Sequence, residues 1–292
     1  MALGQQRASR KNPIDGGAGR ADPEYVRAVA SSVADRISLA EDALAEAGAE
    51  VLRLDVGRVI RQAQFPHVYD ANLVRRPSLR EHNLDDTLER MAAPLREIGA
   101  RHLQLTLDGA DVPDAIGPLL RRRGFVRDRL LAMTIDGPAN PLGHGRAAGM
   151  RMRRVPEEAT WDQFGYAMDR MNREEAWYAP SVSREIVGSL RQKCELGALS
   201  VFVAERDGRV VGTVGMGAHR GVASIVSVGT LPDARRRGVG GTMVLDIVDR
   251  ARADRAEIVY LIARADDSPK EMYRKLGFRV EFAFDVWLRL PR

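Results

Sequence analysis

The densest concentration of chemically capable residues is the segment Thr230–Thr242, TLPDARRRGVGGT. An apolar run, Val222–Thr230, leads into it and reads as a buried strand. A helical repeat leads out of it over Gly240–Ala253, with Met243, Val244, Ile247, Val248 and Ala251 on one face. Gly238, Gly240 and Gly241 let the backbone bend so that successive N–H groups point into one concavity. The new helix adds free N–H groups and the positive end of its dipole. Arg235, Arg236 and Arg237 supply charge and bidentate donors. Each of these features favours a diphosphate. The loop ends without the Gly-Lys-Ser/Thr of a mononucleotide site. It also comes too late in the chain for a dinucleotide fingerprint, which opens the first strand–turn–helix unit.

Two further segments could act on a ligand held there. Met272–Phe278 (MYRKLGF) places Tyr273 on a short helix before a strand. The stretch MNREEAWYAPS, between two helices, sets the carboxylates Glu174 and Glu175 beside the aromatics Trp177 and Tyr178. That grouping suits a cationic amine, although a solvated helix end over a packed tryptophan explains the same residues.

The pattern Arg235-x-x-Gly238-x-Gly240, followed by Tyr273-x-x-x-Gly277-Phe278, resembles the GNAT superfamily of N-acetyltransferases across the whole second half of the chain. The resemblance implies an acyl-CoA N-acyltransferase with acetyl-CoA, or another short acyl-CoA, as co-substrate. It implies a strand that splays from its neighbour, with pantetheine amides pairing to freed backbone at Val228, Gly229 and Thr230. The pyrophosphate would then lie against Arg235, Arg236, Arg237, Gly238, Val239, Gly240 and Gly241, and Asp266–Lys270 would lie near pantetheine or adenine. Tyr273 falls where the family's general acid stands, and Glu174, Glu175, Trp177 and Tyr178 fall in its acceptor region. One departure stands out. Many relatives carry a glutamate base on the splayed strand, where this chain has Ser227 and no carboxylate between Val222 and Leu231.

Strands and helices must position these residues, and the pattern supplies them twice. In the first half, an amphipathic helix over Tyr25–Gly48 precedes strands at Glu50–Val56 and Arg58–Gln62 and an edge at Asp70–Val74. A helix capped by Asn83 and interrupted by Pro94, a strand at Arg101–Leu107, a helix at Asp111–Arg123 and a strand at Phe125–Ile135 follow. The second half runs strand, two helices, a hairpin around Asp207-Gly208, the buried strand, the loop and its helix. A strand, a short helix and a terminal strand pair over Phe278–Leu290 complete it. Leu119–Phe125 (LLRRRGF) echoes Met272–Phe278, with Leu120 where Tyr273 stands. The first half therefore resembles the degenerate partner domain of tandem GNAT proteins, as in mycothiol synthases. The expected organisation is a disordered tail over 1–23, a degenerate GNAT-like domain over 24–135, a Gly/Pro-rich linker over 136–149 and the active domain over 150–292. The fold class is α/β, a mixed sheet with helices on both faces. The segment Phe65–Asp70 (FPHVYD) reads as a surface loop within reach of the acceptor pocket.

Composition narrows the function. The 292 residues are 45% hydrophobic and 29% charged, with a formal net charge of +5. No apolar stretch approaches the ~20 residues of a membrane span, so no membrane partner is expected. The arginines are scattered without stacking aromatics, which argues against nucleic acid. The single cysteine, Cys194, allows no internal disulfide and suits a reducing, cytoplasmic setting. The histidines lack paired metal-ligand spacing, so no metal is expected. The resulting expectation is transfer of an acyl group from acetyl-CoA to a primary amine of a small molecule or peptide. The alternative is a non-catalytic acyl-CoA sensor or interaction module of the same fold.

Overall fold

The computed structural model describes residues 32–107, 115–138, 146–174 and 179–290. The elements in chain order are α1 (Val33–Glu46), β1 (Glu50–Leu54), β2 (Gly57–Arg61), β3 (Leu73–Arg75), α2 (Leu84–Glu97), β4 (Leu103–Leu107), α3 (Ile116–Arg122) and β5 (Val126–Thr134). The second half continues with β6 (Met150–Val155), α4 (Trp161–Asn172), α5 (Pro180–Glu195), β7 (Leu199–Arg206), β8 (Arg209–His219), β9 (Val222–Thr230), α6 (Val239–Ala253), β10 (Ile258–Arg264), α7 (Pro269–Lys275) and β11 (Arg279–Arg289).

The eleven strands among the described residues form one mixed sheet in the order β1-β2-β3-β4-β11-β5-β10-β9-β8-β7-β6. The two halves run through the same steps: an antiparallel hairpin pair, a third strand, a helix, a parallel fourth strand, a short helix and a long last strand. Each half gives its last strand to the other. β11 lies between β4 and β5, and β5 lies between β11 and β10. The repeat is thus closed by strand exchange, which makes the sheet continuous through both halves. Each exchanged strand hydrogen-bonds on both edges, so neither half leaves an open edge where they join.

Local sequence explains several of these features. α4 opens with a reciprocal capping box between Thr160 and Gln163. The β7–β8 turn has positive φ at Asp207 (51°) and Gly208 (73°), the I′ geometry that an Asp-Gly pair favours. Leu84, Leu88, Met91 and Leu95 are all buried along α2, although Asn83 makes no side-chain cap. The terminal strand pair expected over Phe278–Leu290 is instead the single strand β11. It has an irregularity between Val280 and Phe282 but no turn, because it must reach across both β4 and β5. The helix expected from Tyr25 begins at Val33 among the described residues. The expected tail, and the central part of the expected linker, lie outside them.

Candidate active site

The central feature is where β9 leaves β10. Their parallel ladder runs from Val222↔Ile258 to Ile225↔Leu261 and stops. β9 continues to Thr230 along β8, while β10 continues to Arg264 along β5. From Val226 onward, the edge of β9 that faced β10 has no strand partner, and a cleft opens between the two strands. A bulge accompanies the split: Val226 pairs with Gly215 and Gly229 with Thr213, so Ser227 and Val228 together oppose Val214. Ser227 adopts φ 51°, a left-handed conformation uncommon for serine. The Thr213 hydroxyl donates to the Ser227 carbonyl at 3.3 Å and so fixes the bulge. The splay begins at Val226, two residues earlier than the sequence resemblance implied, and Val228, Gly229 and Thr230 lie within it.

Below the open end of β9, a single 3₁₀ turn, Pro232–Ala234, leads to the arginine–glycine loop and α6. Gly238 is the N-cap of α6, with φ 77° and no side-chain cap. The first N–H groups of a helix have no partners within it, and nothing from a capping side chain covers them here. Arg236 also has positive φ, 59°. Its neighbour Arg235 is not a free cation. Its Nε donates to the Thr230 carbonyl at 3.1 Å, and its Nη2 pairs with Glu174 at 2.5 Å. The guanidinium therefore ties the loop to β9 and to the end of α4. Glu174 is committed to that ion pair. Glu175, Trp177 and Tyr178 lie outside the described residues. Arg236 and Arg237 are exposed. In the Asp266–Lys270 segment, the Lys270 ammonium donates to the Asp267 carbonyl at 3.1 Å.

Tyr273 of α7 is 7% exposed and packs edge-on against Phe278, with ring centroids 6.2 Å apart. It lines the cleft together with Val226, Ser227 and Val228. Its hydroxyl makes no hydrogen bond to a described residue. Burial first, and the Asp267 carboxylate second, push its pKa up to about 12. At neutral pH it is a protonated donor facing the cleft.

The cleft runs on into a cavity of about 510 Å³ that crosses from the second half into the first. That volume falls in the ~300–1,000 Å³ range of small-molecule sites. Its far wall is polar: Glu41 from α1, Asp70, Gln104 from β4, Lys193 from α5, and Tyr260 with Ser224 from the β10–β9 ladder. Tyr260 donates to Glu41 at 2.6 Å and Gln104 to Asp70 at 3.0 Å. Burial raises the Glu41 pKa above the ordinary carboxylate value, against the opposing pull of Arg75. Burial likewise lowers that of Lys193, against the pull of Asp70 and Glu41.

The Phe65–Asp70 segment reaches this region. Asp70 lines the cavity, and the segment is fastened to α5, where the His67 amide donates to Glu185 at 2.9 Å and its ring Nδ1 lies 2.7 Å from the same carboxylate. Sequence reasoning missed Glu41, Gln104, Lys193 and Tyr260. A signal existed for two of them: Glu41 follows Ile37 and Ala40 on the inward stripe of α1, and Lys193 follows Ile186 and Leu190 on that of α5. A charge on an apolar stripe marks either a buried pair or a site.

Comparison with known proteins agrees with this architecture. Residues 159–278 match the acetyltransferase (GNAT) family. None of the curated proteins matches the chain. Among solved structures, a conserved protein of unknown function from Staphylococcus epidermidis superposes with a TM-score of 0.67 at 15% identity, over 84% of this chain and 96% of that one. A GCN5-related N-acetyltransferase from Kribbella flavida gives 0.62 at 18% identity, over 90% and 97%. A tandem GNAT protein from the clavulanic acid biosynthesis pathway gives 0.50 at 14% identity, also over 90% and 97%. At these identities the likeness is one of fold. It extends over both halves and their shared sheet. The family match thus falls within the second half of the chain, and the likeness of fold to GNAT structures extends over both halves.

Proposed function

We propose that the chain is an acyl-CoA-dependent N-acetyltransferase that moves an acetyl or other short acyl group directly to a primary amine of a small molecule or peptide. The observation that carries this reading is the parting of β9 from β10 beyond Ile225, directly above an uncapped α6. In this reading the α6 amides and the Arg235–Gly241 backbone hold the CoA pyrophosphate. The freed edge at Val228, Gly229 and Thr230 pairs with pantetheine, which brings the thioester into the cleft beside Tyr273.

The amine attacks the thioester carbonyl, and the C–S bond breaks as the C–N bond forms. In this reading, backbone N–H groups freed at the bulge stabilise charge on the thioester oxygen. Tyr273 donates a hydrogen bond to the leaving sulfur. A phenol near 12 is a poor proton source for a thiolate whose thiol titrates at ~8.5. The proton that finally rests on sulfur therefore comes largely from the attacking amine. Glu41 and Asp70, the carboxylates of the cavity wall, relay it directly or through water in place of the glutamate absent from β9. The first half supplies the far wall of the acceptor site.

The test is release of CoA thiol from acetyl-CoA over a panel of primary amines, for the native chain and Tyr273→Phe. Amine-dependent turnover that drops in the variant supports the enzyme. Acetyl-CoA binding without turnover on any amine leaves an acyl-CoA sensor of the same fold.

A further inference from the structure

Lys193 is 8% exposed, yet among the described residues its ammonium has no hydrogen-bond partner and no carboxylate within 4.0 Å, and Asp70 and Glu41 act on it only from farther off. It lines the same cavity as Tyr273 and Ser227. An ammonium taken out of water without a partner carries a large desolvation cost. The nearby carboxylates do not remove it. One Asp70 oxygen is held by Gln104, Glu41 is held by Tyr260, and Asp42 is committed to Arg58, Arg75 and Arg76. The position is not forced by packing, because Lys193 stands on the inward stripe of α5, where an apolar residue would fill the space at lower cost. What the described residues do not supply is an anion in direct contact with the ammonium, and the open space leads to the lysine.

Building on the acetyltransferase reading, we infer that the acceptor is a small amine bearing a carboxylate, and that Lys193 is the residue that reads this carboxylate. The amine end lies toward Tyr273 and the bulge, and the carboxylate end lies against Lys193. Gln104 and Thr106, buried on β4 and lining the same wall, offer neutral polar groups beside it. The lysine's depressed pKa is what an unpaired buried ammonium shows, and an arriving carboxylate reverses the cause. Lys193 acts in specificity. It discriminates by charge pairing in a desolvated pocket, where removing one partner leaves the other buried and alone.

The experiment uses matched acceptors that differ only in the acidic group: L-lysine, L-ornithine, β-alanine and γ-aminobutyrate against their amides, with cadaverine and putrescine as decarboxylated counterparts. Two readouts are taken on the native chain, Lys193→Met and Lys193→Arg. The first is CoA thiol release with acetyl-CoA. The second is calorimetric binding of the same acceptors without acetyl-CoA, which reports on Lys193 even if no transfer occurs. The expected result is that at least one amino carboxylate binds the native chain at least tenfold more tightly than its amide. Lys193→Met should abolish that preference, raising KM with little change in kcat, while Lys193→Arg keeps part of it. Thermal unfolding checks that Lys193→Met folds, and it should melt no lower than the native chain. The inference is overturned if amides and diamines bind as well as the amino carboxylates, if no member of the panel binds, or if Lys193→Met keeps the preference. Loss of acetyl-CoA binding in the native chain would instead strike the acetyltransferase reading and leave this binding result to stand or fall separately.

Discussion

Tyr273→Phe separates a chemical role from a structural one. The substitution removes one hydroxyl and keeps the ring against Phe278. That hydroxyl bonds to no described residue, so none of these is stranded, and at pH 7 the variant should match the native stability within ~0.5 kcal/mol. At high pH the two must diverge. The phenol's folded-state pKa, about 12, lies above its ordinary value of 10.0. Its contribution is therefore fully present below pH 10 and is lost as pH rises toward 12. The full difference corresponds to ~2.7 kcal/mol, and at pH 11 about half of it, ~1.4 kcal/mol, has gone. Phenylalanine has no proton to lose. The variant should thus be the more stable protein at pH 11 by about 1.4 kcal/mol, in urea titrations run in parallel at the two pH values. Activity should move the other way at neutral pH, with kcat falling by ~10²–10³ if the donor stabilises the leaving sulfur. A variant with unchanged kcat, or one that loses well over ~1 kcal/mol of stability at pH 7, would refute the assignment and make Tyr273 a packing residue.

Two other perturbations probe the scaffold. Asp42 is 4% exposed and accepts from Arg75 at 2.8 Å and from Arg76 at 2.6 Å, as well as pairing with Arg58. Asp42→Asn removes the buried charge that three guanidiniums share, Arg58 keeping Glu46, and should cost ~3 kcal/mol in denaturant titration; a loss under ~1 kcal/mol would mean that the remaining partners and water already satisfy them. At Gly212, a Cβ would stand 2.6 Å from the Gly229 carbonyl oxygen and 2.9 Å from Met243. Gly212→Ala should push β8 from β9 at the edge of the bulge, costing ~1–3 kcal/mol and weakening acetyl-CoA binding in calorimetry. Native affinity in a folded Gly212→Ala protein would show that the spacing of these strands does not shape the cofactor site.

How much was readable in the sequence depends on how local the cause was. The β9–loop–α6 unit and Tyr273 are local: a buried strand, glycines and an amphipathic helix follow one another within a short stretch, and each obeys its own periodicity. The Asp207-Gly208 turn was legible for the same reason. The echo of Met272–Phe278 in Leu119–Phe125 revealed a repeat, but not that the strands after each copy change places. Strand exchange is a choice of partner between two edges of similar chemistry, and β5 and β11 alternate alike wherever they pair. The expected break in β11 failed because one long strand serves two neighbours. Of the candidate acceptor residues, Glu174 turned out to be bound to Arg235, an ion pair between residues far apart in the chain that no spacing foretold. Glu41, Asp70, Gln104 and Lys193 come from four separate elements, and only the folded sheet brings them to one wall.

The proposed function rests on main-chain amides at the start of α6 gathering a diphosphate. The most direct measurement is isothermal titration of acetyl-CoA into the native chain, Gly238→Asn and Gly238→Asp. Gly238 has φ 77°, a conformation that asparagine and aspartate both tolerate, so the two variants differ mainly by one negative charge at the N-cap. Saturable binding to the native chain is expected, with affinity largely kept in Gly238→Asn and at least a tenfold loss, ~1.4 kcal/mol or more, in Gly238→Asp. Absence of binding to the native chain, or equal affinity in the two variants, would contradict this role of the α6 amides.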